Sequence, residues 1–219
     1  MTILSRILCL VIGYAFGIFQ SAYIIGRAKG IDIRKVGSGN SGTTNALRTL
    51  GTKMGLLVFA LDFLKVIAAI LICRALFANG DIGIGRMVTL WTGLGCVLGH
   101  NFPFYMSFHG GKGIACTAAI TVMFSWQLTI AGAIVFFVSV ILTHYVSLGS
   151  LLGTLTVLIG GVIMGGMGLL VLTQAQYVEM ILLLVILVGM AWYLHRANIM
   201  RLIQHNERKT YFGKHEDHP

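Results

Sequence analysis

The chain has 219 residues, 57% of them hydrophobic and only 11% charged, where a soluble domain carries about 25% charged residues. That composition excludes a soluble globular fold and predicts an all-α integral membrane protein with one polytopic domain, 1–219. The formal net charge of +9 reads as cytoplasmic-side anchoring in such a protein, so no nucleic-acid partner is expected. The four cysteines, Cys9, Cys73, Cys96 and Cys116, lie in or beside apolar runs without a CxxC pair. They read as small buried residues, not as a disulfide or metal framework.

In chain order, the first span is expected over 3–26, an apolar run too long for the core of a secretory signal. A polar stretch, 27–53, follows with Arg27, Lys29, Arg34, Lys35, Arg48 and Lys53. The second span, 54–78, carries Asp62 and Lys65 on one helix face. A lone charge in lipid costs several kcal/mol, roughly 2.5–3.5 by insertion scales, so these two are expected to pair and face protein. After a turn from Asn79 to Arg86, the third span, 87–100, would be only about 21 Å long, against a hydrocarbon core of about 30 Å. It therefore predicts a recessed region where polar groups enter. Loop 100–113 comes next.

Residues 114–143 are apolar throughout, and one straight helix of that length would run ~45 Å. The alternative is two helices, 113–125 and 126–143, broken near Ser125-Trp126. Charge selects the second. With seven spans, loop 27–53, Lys112 and the tail share one side and hold most of the Lys and Arg, while Arg6, Arg74 and Arg86 lie opposite. With six, the bias vanishes. The positive-inside rule thus predicts seven transmembrane helices, the N-terminus outside and the C-terminus cytoplasmic. The last spans are expected over 148–172 and 176–195, followed by the tail 196–219, whose final residues, 214–219, read as disordered. Gly13/Gly17, Gly95/Gly99, Gly149/Gly153 and Gly161/Gly165 have the spacing that lets helices approach closely.

The longest hydrophilic interruption is Gly37-Ser38-Gly39-Asn40-Ser41-Gly42-Thr43-Thr44-Asn45, closed by Arg48. Its glycines permit sharp turns. Its end, running into Ala46-Leu47-Arg48, reads as a helix start with its own N-cap, and a helix N-terminus is a ready anion site. The formal Gly37-x-Gly39-x-x-Gly42 match to a dinucleotide loop is rejected, because its flanks are membrane helices and not a strand and a βαβ unit. Gly110-Gly111-Lys112-Gly113 lacks the Ser or Thr after Lys of a Walker loop. What remains is two Gly-rich cytoplasmic loops, each with one cation, and a third element, His195-Arg196-Ala197-Asn198, with His195 and Asn198 on one face. Arg grips phosphate bidentately and Lys as a point charge, so these elements predict a site for one or more phosphates at the cytoplasmic rim. No metalloprotease, serine-hydrolase or paired-carboxylate signature is present, no histidine pair has metal-ligand spacing, and there is no His-x₄-Asp.

Three stretches carry a resemblance. The first is Ser21-Ala22-Tyr23 and Gly26-Arg27 through Asp32-Ile33-Arg34-Lys35-Val36-Gly37-Ser38-Gly39-Asn40-Ser41-Gly42-Thr43-Thr44-Asn45 to Arg48-Thr49-Leu50-Gly51. The second is Gly99-His100-Asn101-Phe102-Pro103 with Gly110-Gly111-Lys112-Gly113, and the third His195-Arg196-Ala197-Asn198-Ile199 with Arg201-Leu202. Leu61-Asp62-Phe63-Leu64-Lys65 also fits. In order and spacing the chain resembles the bacterial membrane-embedded glycerol-3-phosphate acyltransferases that use acyl-phosphate as donor.

The resemblance implies a seven-helix protein of the bacterial inner membrane that transfers an acyl group from acyl-phosphate to the 1-hydroxyl of glycerol 3-phosphate. Its products are lysophosphatidic acid and inorganic phosphate. It also implies no cofactor, no metal, and a functional link to a soluble enzyme that makes the acyl-phosphate. The donor phosphate would lie against Gly39, Asn40, Gly42, Thr43, Thr44 and Asn45. Ser38, Arg48, Lys112, His195 and Asn198 would bind glycerol 3-phosphate, with Ser38, Arg48, Lys112 and His195 as the catalytic set. The proton would go to the donor's phosphate or to His195. The sequence departs from the family pattern at Ser41, where Pro is common, Thr43 (Ala), His109 (Lys), Ala197 (Glu) and His205 (Gly). A transporter for small phosphate-ester anions would use the same basic loops, and a structural scaffold would need none of them.

Overall fold

The structure, a computed structural model, describes residues 1–210, so the disorder expected at 214–219 lies outside the described residues. The described residues form helices and two short 3₁₀ turns. Six helical stretches are long and apolar enough to cross a membrane. The protein is a multi-pass membrane protein.

The first span differs from its expected form. α1 (Ile3–Gly17) stops and the chain restarts as α2 (Ser21–Ala28). Such a break orphans backbone carbonyls, which in an apolar setting must find donors. The Lys65 ammonium supplies them, reaching Phe19 O at 2.5 Å and Gly17 O at 3.2 Å. Lys65 also pairs with Asp62 at 2.8 Å and lies 3.1 Å from His100 Nδ1. Asp62 accepts from the Ser21 hydroxyl at 2.8 Å. Gln20, fully buried in the break, donates to His100 O at 2.8 Å and accepts from the Ser41 hydroxyl at 3.2 Å. The buried pair thus faces protein and holds the interrupted helix.

α3 (Thr43–Leu50) runs into α4 (Thr52–Phe77) through Gly51, whose φ of +86° turns the corner. α5 corrects a second expectation. It spans Ile82–Asn101, 20 residues and so about 30 Å, not the short 87–100. Asp81 caps its start by accepting from the Ile84 N–H at 2.7 Å. Arg86, read as part of a turn, lies inside the helix because the carbonyls of Phe124 and Leu170 take its protons. No recessed helix is needed to bring polar groups in.

α5 is central, and α1 packs on it backbone to backbone. A Cβ at Gly13 would stand 2.1 Å from Thr92 O, at Gly17 2.3 Å from Cys96 O, at Gly95 2.3 Å from Leu10 O and at Gly99 2.4 Å from Tyr14 O. The two Gly-xxx-Gly pairs are therefore reciprocal contact surfaces. All four cysteines are free and buried.

The apolar run after the second loop divides at Ser125 into α6 (Ile114–Phe124) and α7 (Trp126–Thr143). α6 has 11 residues, about 16 Å. Its terminal carbonyls are capped by arginines: Met123 O accepts from Arg74 at 2.7 Å and Phe124 O from Arg86 at 3.4 Å. α8 (Val146–Gly166), α9 (Gln174–Leu194) and α10 (Arg196–Ile203) complete the helices of the described residues. At one end of the bundle Arg6 of α1 forms an ion pair with Glu179 of α9, which also accepts from the Trp91 indole. The polar loops gather at the other end.

Candidate active site

The first loop is shaped from within. Gly37 and Gly39 adopt φ of +61° and +71°, backbone that side chains other than glycine rarely take. Asn45, 2% exposed, accepts from the Ser38 N–H at 2.8 Å and donates to Ile33 O and Val36 O at 3.1 Å each. Its amide is therefore spent on the loop's own backbone. Gly42, not a threonine, is the N-cap of α3, and no side-chain hydrogen bond caps that helix. The first-turn N–H groups, which have no partner within a helix, are thus left without a side-chain cap. The Thr43 hydroxyl beside them is buried with no hydrogen-bond partner among the described residues.

The second loop folds back on the end of α5. Gly110 N–H donates to Asn101 O and Gly111 N–H to His100 O, both at 3.0 Å. A Cβ at Gly110 would lie 2.0 Å from His100 O, and one at Gly111 2.0 Å from His100 Nε2. Only two glycines allow this close approach. Asn40 joins the loops by donating to Gly110 O at 3.3 Å.

That loop delivers Lys112 to α10. Lys112 Nζ donates to Asn198 Oδ1, and Asn198 Nδ2 donates to Glu207 Oε1 at 2.6 Å. Glu207 also accepts from the Ser147 hydroxyl at 3.0 Å and from Arg201 Nε at 2.7 Å. Burial alone would push the Glu207 carboxyl up, but the hydrogen bonds from Asn198, Arg201 and Ser147 hold it below its ordinary range. Burial lowers Lys112 to about 8; Glu207 opposes this, while Arg201, Arg48 and Arg196 add to it. Lys112 thus feels three arginines and one carboxylate, a cationic setting suited to phosphate.

His195 stands at the end of α9, 4% exposed. Its Nδ1 lies 2.7 Å from Ala191 O. A carbonyl only accepts, so Nδ1 carries the proton and Nε2 presents its lone pair. Burial, then the charge of Lys112, pushes the imidazole down to about 4, so it is neutral near pH 7. Arg48 reaches in from α3, its Nη2 donating to Arg208 O at 3.0 Å and to Thr210 Oγ1 at 2.6 Å.

Lys112, Asn198, His195 and Arg48 therefore converge. Gly39, Asn40, Gly42, Thr43 and Thr44 line the neighbouring loop and helix start. Ser38 is exposed at the loop's apex with no hydrogen bond to the Lys112 group among the described residues. Glu207 and Ser147 were missed by sequence reasoning. A single acid in the basic run Asn206-Glu207-Arg208-Lys209 was the available signal. Among the described residues no cluster of His, Cys, Asp or Glu could hold a metal ion.

Fold and site together define a polytopic membrane protein with a cationic, hydrogen-bonded cluster where its loops meet. A family model described as glycerol-3-phosphate acyltransferase matches residues 7–205. The glycerol-3-phosphate acyltransferase of Shouchella clausii is 39% identical over 209 residues, covering 94% of this chain and 97% of its own. That of Thermoanaerobacter sp. strain X514 is 37% identical over 205 residues, covering 93% and 94%. The crystal structure of PlsY, an integral membrane glycerol 3-phosphate acyltransferase in its glycerol 3-phosphate form, superposes with a TM-score of 0.80 at 31% identity, covering 94% of this chain and 96% of that one. The chain belongs to the membrane-embedded glycerol-3-phosphate acyltransferase family.

Proposed function

We propose that this enzyme acylates the 1-hydroxyl of glycerol 3-phosphate with acyl-phosphate as donor, releasing lysophosphatidic acid and inorganic phosphate. The observation that carries the reading is the pairing of two adjacent anion-binding elements. One is the open N-terminus of α3 with the unpartnered Thr43 hydroxyl; the other is the Lys112, Asn198, His195 and Arg48 group. Two phosphates must be brought together, and cations and N–H donors offset their repulsion. The family relationship supports the acceptor; PlsY has also been described in a lysophosphatidic acid form.

The donor phosphate rests on the loop of Gly39, Asn40, Gly42, Thr43 and Thr44, with Asn45 holding that loop in shape. Lys112 and Arg48 take the acceptor's phosphate, Asn198 orients Lys112, and Ser38 closes over the acceptor from the loop. The acceptor hydroxyl oxygen attacks the acyl carbon. The carbon–oxygen bond to phosphate then breaks, and the phosphate leaves. An acyl-phosphate is already activated, so the protein's work is positioning and charge stabilisation. His195 Nε2 accepts a hydrogen bond from the hydroxyl and aims it. Burial and the Lys112 charge make His195 a poor base, and the departing donor phosphate, already at the reacting centre, receives the proton.

Seven crossings, with the N-terminus outside and the C-terminus cytoplasmic, fit this chemistry. The bonds Asn40 to Gly110, Lys112 to Asn198 and Ser147 to Glu207 support a common face for the three loops and the tail. The arginine-capped end of α6 supports that helix, about 16 Å long, as the short seventh segment. The site then opens to the cytoplasmic side of the bacterial inner membrane, where a soluble enzyme supplying acyl-phosphate would deliver its product. The test is purified protein in detergent with glycerol 3-phosphate and, in turn, acyl-phosphate, acyl-CoA and acyl carrier protein donors. Lysophosphatidic acid from acyl-phosphate alone is the expected result. Its absence with all three, together with glycerol 3-phosphate uptake by proteoliposomes, would make the protein a transporter.

A further inference from the structure

The segment after α10 turns back across the site and is fastened at separate points. Glu207 binds Ser147 at the start of α8 and Arg201 of α10. Three residues on, the Thr210 N–H donates to His144 O at 2.9 Å, in the turn between α7 and α8. Thr210 is buried, 6% exposed, and its hydroxyl accepts from Arg48 Nη2 at 2.6 Å, while Arg208 O accepts from the same nitrogen at 3.0 Å. Arg48 comes from α3, so this strap ties the first loop's helix to the far side of the site.

We propose that Thr210 is a positioning residue: its hydroxyl, with the Arg208 carbonyl, holds the Arg48 guanidinium in place for the phosphate of glycerol 3-phosphate. The inference rests on the reading that Arg48 binds that phosphate. Arginine is long, and ordering it at the moment of binding costs affinity. A hydroxyl and a carbonyl carry no net charge. These two acceptors orient the guanidinium without themselves neutralising it. The backbone bond to His144 fixes Thr210 independently of its side chain, so the hydroxyl is delivered from a rigid point.

The test uses purified full-length enzyme, varying glycerol 3-phosphate at saturating acyl-phosphate. Thr210→Val keeps the shape and the N–H to His144 but removes the oxygen. It should raise KM for glycerol 3-phosphate by about three- to tenfold, with kcat within about twofold and an unchanged thermal midpoint. Thr210→Ser should restore the wild-type KM. In an Arg48→Gln background, Thr210→Val should have no further effect. If Arg48→Gln leaves KM unchanged, the reading of Arg48 as a phosphate ligand fails and this inference falls with it. If Arg48→Gln raises KM but Thr210→Val does not, or Thr210→Ser behaves like Thr210→Val, the positioning role alone is overturned. A Thr210→Val effect confined to kcat and thermal midpoint would also overturn it.

Discussion

Lys112 offers a demanding test because its surroundings set both the size and the pH dependence of its contribution. It is half-buried, hydrogen-bonded to Asn198, and lowered to about 8. An ammonium about 4 Å from a phosphate charge is worth roughly 4 kcal/mol at an effective dielectric of 20. Neighbouring cations take over part of that, so Lys112→Met should cost on the order of 10²–10³ in kcat/KM. The sign of the pH effect follows from the direction of the shift. Lys112 is charged below about 8 and loses its proton as pH rises through that value. The kcat/KM for glycerol 3-phosphate should therefore fall on an alkaline limb near 8. The dianion raises the pKa of the lysine it binds, so the corresponding limb in kcat lies higher. Lys112→Arg stays charged throughout, and its alkaline limb should disappear even though the planar fork fits the site less well and slows the reaction near pH 7. Steady-state rates of lysophosphatidic acid formation between pH 6 and 10 provide the assay. An alkaline limb in Lys112→Arg that coincides with wild type, or a Lys112→Met enzyme within about threefold of wild-type kcat/KM, would refute the reasoning.

Other expectations concern the support of the site. Lys65→Met leaves Asp62 without its cation and the Gly17 and Phe19 carbonyls without donors. It should cost about 3–5 kcal/mol, lowering the thermal midpoint in detergent by roughly 10 °C; a loss under about 1 kcal/mol would mean the pair does not hold the helix break. Asn45→Asp keeps the acceptor for the Ser38 N–H but turns an oxygen toward Ile33 O and Val36 O. Donor KM should rise about tenfold or more, since each misplaced bond at a buried polar group costs about 1–3 kcal/mol, and unaltered donor saturation would contradict the loop's described role. His195 titrates near 4, so protonation of this imidazole should not reduce activity between pH 5 and 7. An acid limb there should persist in His195→Gln; its loss in that variant would make His195 the titrating group.

Patterns that are themselves geometry were legible in the residues. Gly13/Gly17 and Gly95/Gly99 mark backbone contact, and the structure puts Thr92 O and Cys96 O, Leu10 O and Tyr14 O against them. Asp62 and Lys65 could be paired because few other partners exist in an apolar helix. Long-range partners hid the rest. The break between α1 and α2 interrupts a run in which Ile18 and Phe19 continue the apolar signal, and its reason is a lysine far along the chain. Arg86 looked like the end of a turn because the carbonyls that accept its protons lie at Phe124 and Leu170. The loop's glycines and helix start could be matched to a phosphate, but spacing gives no side chain a direction, and the Asn45 amide turns to the loop's own backbone. Glu207 and Thr210 gained their places only when the tail folded back onto Ser147, Asn198 and Arg48.

The central claim is acyl transfer by attack at the acyl carbon, and the fate of the donor's bridging oxygen tests it most directly. Acyl-phosphate carrying heavy oxygen in the bridge between carbonyl carbon and phosphorus is turned over by the purified enzyme with glycerol 3-phosphate. The products are then separated and weighed by mass spectrometry. The account predicts the label in inorganic phosphate and none in lysophosphatidic acid. Label retained with the acyl group would place bond breaking at phosphorus and contradict it.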